Sequence, residues 1–214
     1  MKGSTHLAIG TVIGAAAAVY YPFSWNNAAL YVAVSAFSAL SADLDGPSML
    51  SSKLGKVSKI VREVVIWAGA LLMAVAAYLL LVQREFYPEL TAGAVMVFLL
   101  GFVAKEGAIR NALVSAVGLG LIYAGFDIQQ NWLMGFGLFV VWAPWLKHRG
   151  MTHTIWAVFA WGAIGWGLQQ QLQIEGIAAV SVIGYVSHLV ADTLTPSGVK
   201  WLYPIYRRSI KLRV

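Results

Sequence analysis

The chain has 214 residues, 59% of them hydrophobic and 11% charged, where a soluble domain carries roughly 25% charged residues. It therefore lacks the polar side chains to cover a water-facing surface, and with a mean hydropathy of +0.72 the expected class is an integral membrane protein. Cysteine is absent, which excludes disulfides, thiolate metal sites and cysteine nucleophiles. The net charge of +6 invites a nucleic-acid partner, but basic residues also collect at cytoplasmic membrane edges, and no nucleic-acid motif is present.

In chain order, Lys2 and the alanine-rich run after it have the outline of a secretory signal. His6 stands where the charged region of such a signal would be, so a retained first span is expected. Apolar runs follow at about 7–22, 28–42, 63–82, 90–104, 111–126, 132–146, 154–170 and 176–191. Some are short against the roughly 20 residues of a spanning helix. The expected fold is all-α: a polytopic membrane helix bundle of about eight spans, forming a single integral membrane domain over 1–214.

The charges orient that bundle. With a cytoplasmic N-terminus and eight crossings, Lys2, Lys53, Lys56, Lys59, Arg62, Lys105, Arg110, Lys147, Arg149, Lys200, Arg207, Arg208, Lys211 and Arg213 share the cytoplasmic side. Arg84 alone among the basic residues falls on the far side, near Glu85 and Glu89. This is a positive-inside pattern and predicts that both termini are cytoplasmic.

The same map brings the other polar residues to that side. His6 opens the first span, Asp43 and Asp45 close the second, His148 and His153 flank the loop before the seventh, and His188 and Asp192 close the eighth. Ser38–Pro47 and Ser187–Pro196 match in serine, leucine, alanine, aspartate and proline at five of ten positions. Thr5-His6 likewise opens one hairpin as Thr152-His153 opens the other. Spans 1–2 and 7–8 thus read as two copies of one hairpin in the same orientation, a parallel internal repeat related by an axis along the membrane normal.

Chemistry follows from the spacing. His188 and Asp192 stack one turn apart on a helix face. Gly46-Pro47 ends the helix after Asp43 and Asp45, freeing both carboxylates to turn towards one centre, and Gly150 allows a tight loop to present His148 and His153. Imidazole and carboxylate without sulfur suit a divalent transition metal, zinc first and manganese or iron also. Seven candidate ligands (His6, Asp43, Asp45, His148, His153, His188 and Asp192) exceed one catalytic zinc and suit two ions. Asp45 is a candidate proton acceptor and Arg149 a candidate phosphate clamp.

The structural alternatives are an interfacial role for His6 or His148, and helix-end pairing of Asp43 and Asp45 with Lys53 or Lys56. Thr5, Thr152, Thr154 and Ser187 either orient the histidines or serve as caps and packing residues. Gly10 and Gly14 make a helix-packing GxxxG, and Tyr203–Arg208 reads as an amphipathic tail on anionic headgroups.

Thr5-His6, Asp43-Leu-Asp-Gly-Pro47, His148-Arg-Gly-Met-Thr-His-Thr154 and Gly184-Tyr-Val-Ser-His-Leu-Val-Ala-Asp-Thr-Leu-Thr-Pro-Ser-Gly198 together resemble the YdjM-like family. Its bacterial and archaeal members are described as LexA-binding, inner-membrane-associated metal-dependent hydrolases. The resemblance covers the whole chain and implies that the histidines and aspartates at these motif positions are metal ligands. It implies a LexA association by name only. A fainter likeness, through His188, Asp192 and Pro196, is to the soluble zinc-dependent phospholipase C group and points to phosphoester chemistry.

The expected function is a membrane-embedded metal-dependent hydrolase acting on a lipid or lipid-linked phosphoester at the cytoplasmic interface, with acyl chains held among spans 1, 2, 7 and 8. The alternatives are a lipid amidase or esterase with the same site, or a non-catalytic, metal-stabilised membrane regulator. A transporter is disfavoured, because transporters bind near the midplane and no charge falls at the middle of a proposed span.

Overall fold

In the computed structural model, which describes residues 1–212, every apolar run becomes an α-helix. Arg213, among the basic residues assigned to the cytoplasmic side, lies outside the described residues. The helices are α1 (Gly3–Tyr20), α2 (Trp25–Ser41), α3 (Ser52–Leu81), α4 (Pro88–Val103), α5 (Glu106–Asp127), α6 (Asn131–Trp142), α7 (Ile155–Leu172) and α8 (Ile177–Thr193). Short 3₁₀ turns occupy Ala42–Asp45, Ala143–Trp145 and Met151–His153. No strand forms among the described residues beyond one isolated bridge, Val199 to Ile210.

Local chemistry sets most of the boundaries. α1 stops at Tyr20 because Pro22 drives the residue before it into extended backbone. Ser24 caps α2 by accepting from Asn27 N at 3.1 Å, and Pro88 occupies the first position of α4, where its missing N–H costs nothing. α6 is shorter than the apolar run 132–146, since Pro144 tightens the chain into a 3₁₀ turn after Trp142. α3 starts much earlier than its apolar run: Lys53, Lys56, Lys59 and Arg62 belong to its first turns, not to a loop. No proline interrupts that stretch, and Val57, Ile60, Val61 and Val64 continue a helical spacing between the lysines.

Among the described residues, four stretches are long and apolar enough to cross a membrane: Gly3–Tyr20, Trp25–Asp45, Ser52–Leu81 and Glu106–Asp127. Pro88–Val103 and Ile177–Thr193 are shorter apolar helices. The chain divides into two compact units, one of Met1–Ser51 with the chain from Val114 onward, the other Ser52–Leu113. In the smaller, Gly69 packs against Phe98 and Gly101 against Ile66. There Arg62 closes the end of α4 by donating from Nε to Ala104 O at 3.0 Å, satisfying a carbonyl beyond the last turn.

The larger unit carries the polar motifs. α1 lies on α2 through its GxxxG: a Cβ on Gly14 would sit 2.4 Å from Val32 Cα, a separation no side chain tolerates, so close helix packing is what this pair does. The interior between α2, α7 and α8 is filled by Tyr185, Leu189 and Trp161, and that beneath α1 by Tyr31, Ile177 and Val180. At the end away from the motifs, Gly176 (φ 87°) makes the turn into α8, and a Cβ there would strike the Tyr21 ring at 2.3 Å. Tyr31 Oη donates to Glu175 O at 2.7 Å, which fixes the same end. Both hairpins therefore return their polar ends to one level.

Candidate metal centre

At that level the seven expected ligands meet. His6 comes from the first turn of α1, Asp43 and Asp45 from the 3₁₀ turn closing α2, His148 and His153 from the loop before α7, and His188 and Asp192 from the last turns of α8. Three overlapping triads can each bring ligand atoms within 4.8 Å of one another: His6, Asp43 and His188; His153, His188 and Asp192; Asp43, Asp45 and His148. His6, His153, His188, Asp45 and Asp192 are buried, whereas His148 is 54% exposed at the side chain.

The hydrogen bonds assign the ring protons. His188 Nδ1 donates to Ala39 O at 2.7 Å, and His148 Nδ1 to Asp45 Oδ1 at 2.7 Å. Thr152 Oγ1 donates to Asp45 Oδ2 at 2.6 Å, which leaves its lone pair to accept from His153 Nδ1 at 3.0 Å. In their neutral forms, His153 and His188 then turn bare Nε2 lone pairs towards each other at 3.3 Å. Asp43 Oδ1 stands 3.7 and 3.5 Å from those two nitrogens, and Asp192 Oδ2 stands 3.8 and 4.0 Å away. Two nitrogens facing each other among carboxylates are served by a proton on one of them or by a cation, and the donor set of imidazoles and carboxylates is one that fits a divalent cation. The acceptors behind Nδ1 are the usual outer partners of metal-binding imidazoles. His6 completes the group by stacking on His188, with ring centroids 3.8 Å apart. Its Nε2 lies 3.4 Å from Asp192 Oδ1, and its buried Nδ1 has no hydrogen-bond partner.

Asp45 is hydrogen-bonded through both oxygens. Oδ1 accepts from His148, and Oδ2 accepts from Thr152 and from Arg149 N at 3.0 Å. These bonds tie the loop before α7 to the end of α2, and Asp45 remains within the triad with Asp43 and His148. The bond also raises the His148 imidazole above its usual pKa, against the opposing effect of partial burial. Arg149 adopts φ +59°, a left-handed conformation uncommon for a side chain of its size. That turn aims its N–H at Asp45 and its guanidinium at Asp192 Oδ2, 2.9 Å away. Nη1 also donates to Thr195 Oγ1 at 3.2 Å and Gly198 O at 3.4 Å. The Met1 ammonium reaches Asp192 Oδ1 at 2.7 Å. A polar cavity of about 280 Å³ opens here, with Asp43, Pro47, His148, Arg149 and Asp192 in its wall.

Among the hydroxyls, Thr152 orients His153 through Asp45. Thr154 instead caps α7, accepting from Ala157 N at 3.4 Å, and Ser187 bonds back to Gly184 O within its own helix. Sequence reasoning missed two supports. Tyr185 is fully buried and donates from Oη to Thr152 O; its place three residues before His188, on the same helix face, was the available signal. The carbonyl of Ala39 carries no signal in a sequence. Tyr203–Arg208 does not form a helix. At its start the chain is held by Ile155 N donating to Trp201 O at 2.9 Å and Trp156 Nε1 to Tyr203 O at 3.1 Å, while Pro204 to Arg208 are exposed.

Fold and site together define a helical membrane protein with a histidine–aspartate cluster at one end of its bundle. The chain belongs to the YdjM inner membrane protein family, which it matches over residues 1–214. Inner membrane protein YdjM of Escherichia coli (strain K12) is 42% identical over 64 residues, 27% of this chain and 30% of that protein. The YdjM of Shigella flexneri gives the same figures. The aligned segment thus spans under a third of these relatives. No solved structure matches the chain.

Proposed function

We propose that this protein is a metal-dependent hydrolase at the cytoplasmic face of the inner membrane, acting on a lipid or lipid-linked phosphoester. The observation that carries the reading is the pair of Nε2 lone pairs facing each other 3.3 Å apart, beside Asp43 and Asp192. His6, His153, His188, Asp43 and Asp192 would hold the inner ligand positions, with His148 at the cavity edge. Zinc suits the donors best, manganese or iron also fit, and the overlapping triads suit two ions. A divalent cation held here supplies Lewis acidity, activating water and neutralising phosphate oxygens. Asp43, 20% exposed on the cavity wall, takes the proton in place of Asp45, which is a positioning residue. Arg149 keeps N–H groups beyond its three bonds and presents them to a phosphate oxygen.

The repeat belongs to the same proposal. His6 of the first hairpin faces Asp192 of the second, and His153 of the second faces Asp43 of the first. Positions equivalent in the two copies also meet: Ala39 with His188 through a hydrogen bond, and Ser35 with Gly184, whose Cβ would lie 2.7 Å from Ser35 O. Self-pairing of equivalent positions is what a pseudo-twofold between α2 and α8 requires.

Hydrolysis is tested with vesicles containing phospholipid labelled in headgroup and acyl chain. Release of phosphate-bearing headgroup by the wild type, lost in His188→Ala, is the expected result. Free fatty acid instead would establish the esterase or amidase reading, and no turnover of any lipid by metal-loaded protein would establish the regulator. Topology is tested separately, because the chain has no cysteine of its own. A cysteine at Lys147 should react with a membrane-impermeant maleimide only from the cytoplasmic side and one at Glu85 only from the opposite side; the reverse pattern rejects the orientation.

A further inference from the structure

The chain after α8 forms a closed loop at the site end of the bundle. Val199 and Ile210 exchange two backbone hydrogen bonds, of 3.1 and 2.8 Å, and Leu212 N donates to Thr193 O at 3.1 Å. The segment thus returns to the helix end it left. Gly198 (φ 63°) makes the entry, because a side chain there would strike Ile210 O. The inner side of the loop is firmly held. Val199 is fully buried in the core beside Tyr185 and Leu189, and Trp201 packs on the same cluster. Trp201 Nε1 also donates to Thr193 Oγ1 at 2.9 Å.

The outer side is built from other materials. Leu202, Ile205, Tyr206 and Ile210 are exposed, Ile205 by 79%. Lys200, Arg207, Arg208 and Lys211 stand in the same stretch, with no acidic residue from Thr193 to Leu212. Among the described residues, none of these four cations is in an ion pair. A loop fixed from within that turns apolar side chains and unpaired cations outward carries both components of a membrane-surface contact.

Its depth agrees. Trp142 and Trp145, at and just beyond the end of α6, and Trp156, in the first turn of α7, are exposed. Exposed tryptophans at helix ends mark the level where hydrocarbon gives way to headgroups. Trp156 Nε1 donates to Tyr203 O, which sets the loop at that level. Charge then chooses the occupant. A second copy would bring four like cations against these four, and zwitterionic lipid offers them no net charge. Anionic phosphate offers one per lipid.

We propose that the loop from Lys200 to Lys211 is a binding surface for anionic phospholipid headgroups, with Ile205 and Tyr206 entering the boundary of the acyl region. The contact expected of a helical tail is made instead by a closed loop. Its near end, through Thr195 Oγ1 and Gly198 O, also accepts hydrogen bonds from Arg149. The proposal is independent of the hydrolase reading and needs no turnover for its test.

The full chain, with Ser209→Cys as its only cysteine, is labelled with bimane and placed in phosphatidylcholine nanodiscs. Brominated phosphatidylglycerol and brominated phosphatidylcholine are compared as quenchers at equal mole fraction. At low salt the anionic quencher should be about fivefold more effective, roughly the enrichment that one basic residue near an anionic surface gives, and the preference should fade at high salt. Arg207→Gln with Arg208→Gln should bring the two quenchers level while bound metal per chain and helix content stay at wild-type values. Both side chains are exposed, so the fold should survive; Lys211→Gln, a milder change, should lower the ratio if the double variant does not express. Ile205→Ser should weaken quenching by both lipids, because the loop then rides higher. Equal quenching by the two lipids in the wild type would mean contact with bulk lipid and would overturn the proposal. Absence of quenching by either would place the loop in water and overturn it too. A disulfide between Ile205→Cys on two copies would overturn it by seating a second chain there. Lipid preference without hydrolysis would keep this proposal and reject the hydrolase, and hydrolysis without preference would do the reverse.

Discussion

Replacing Asp192 by asparagine is expected to lower divalent metal affinity by more than about a hundredfold, since loss of an outer partner alone costs 10- to 100-fold and Asp192 faces the ligand nitrogens directly. Its Oδ2 stands 3.8 Å from His153 Nε2 and 4.0 Å from His188 Nε2, and its Oδ1 stands 3.4 Å from His6 Nε2. Asparagine keeps the shape and removes the charge, so cavity formation does not contribute. The loss also unbalances the site, because the Arg149 guanidinium 2.9 Å away then repels an incoming cation without its counter-charge. Elemental analysis of purified protein, set beside circular dichroism, measures this: metal should fall from stoichiometric to trace while helix content stays constant. A variant that retains its metal would remove Asp192 from the ligand set, and with it the triad it forms with His153 and His188.

What the sequence made legible divides by range. Apolar runs marked the eight helices of the described residues, four stretches of which are long and apolar enough to cross a membrane, because composition needs no knowledge of neighbours. The convergence of His6, Asp43, His153 and His188 was legible too, since span parity alone sends those residues to one end. Boundaries governed by local backbone chemistry were missed: the runs 7–22 and 132–146 pass through Pro22 and Pro144, before which the helices end, and the basic start of α3 looked like loop because its charges masked a helical spacing. Roles that depend on which atom meets which were not legible. The spacing of Asp43 and Asp45 offered two ligands, with Asp45 also a candidate proton acceptor. Only the folded loop shows that Asp45 spends both oxygens on His148, Thr152 and the Arg149 backbone.

Asp45 offers the sharpest separation between positioning and proton transfer. Asp45→Ala removes the acceptor for three donors in a buried setting, and each unpaired group costs about 1 to 3 kcal/mol. Some relax to water through the exposed edge at His148, so a net loss of about 3 kcal/mol in stability is expected, read as a lower thermal midpoint in detergent. Asp45→Asn is gentler and more informative. Its amide oxygen can still accept from Thr152 and Arg149 N, but its NH₂ then faces His148 Nδ1, so the imidazole must shift its proton to Nε2 or turn, and either change alters what His148 offers a cation. If Asp45 acts by holding His148 and His153, metal affinity in Asp45→Asn falls about 10- to 100-fold, and hydrolysis returns when metal is raised to saturation. If it were the proton acceptor, activity would stay lost at every metal concentration. Asp43→Asn provides the contrast: that carboxylate lines the cavity and faces both Nε2 atoms, so excess metal should not restore turnover. Recovery in Asp45→Asn without recovery in Asp43→Asn is the pattern this geometry requires, and the opposite pattern would return the base to Asp45.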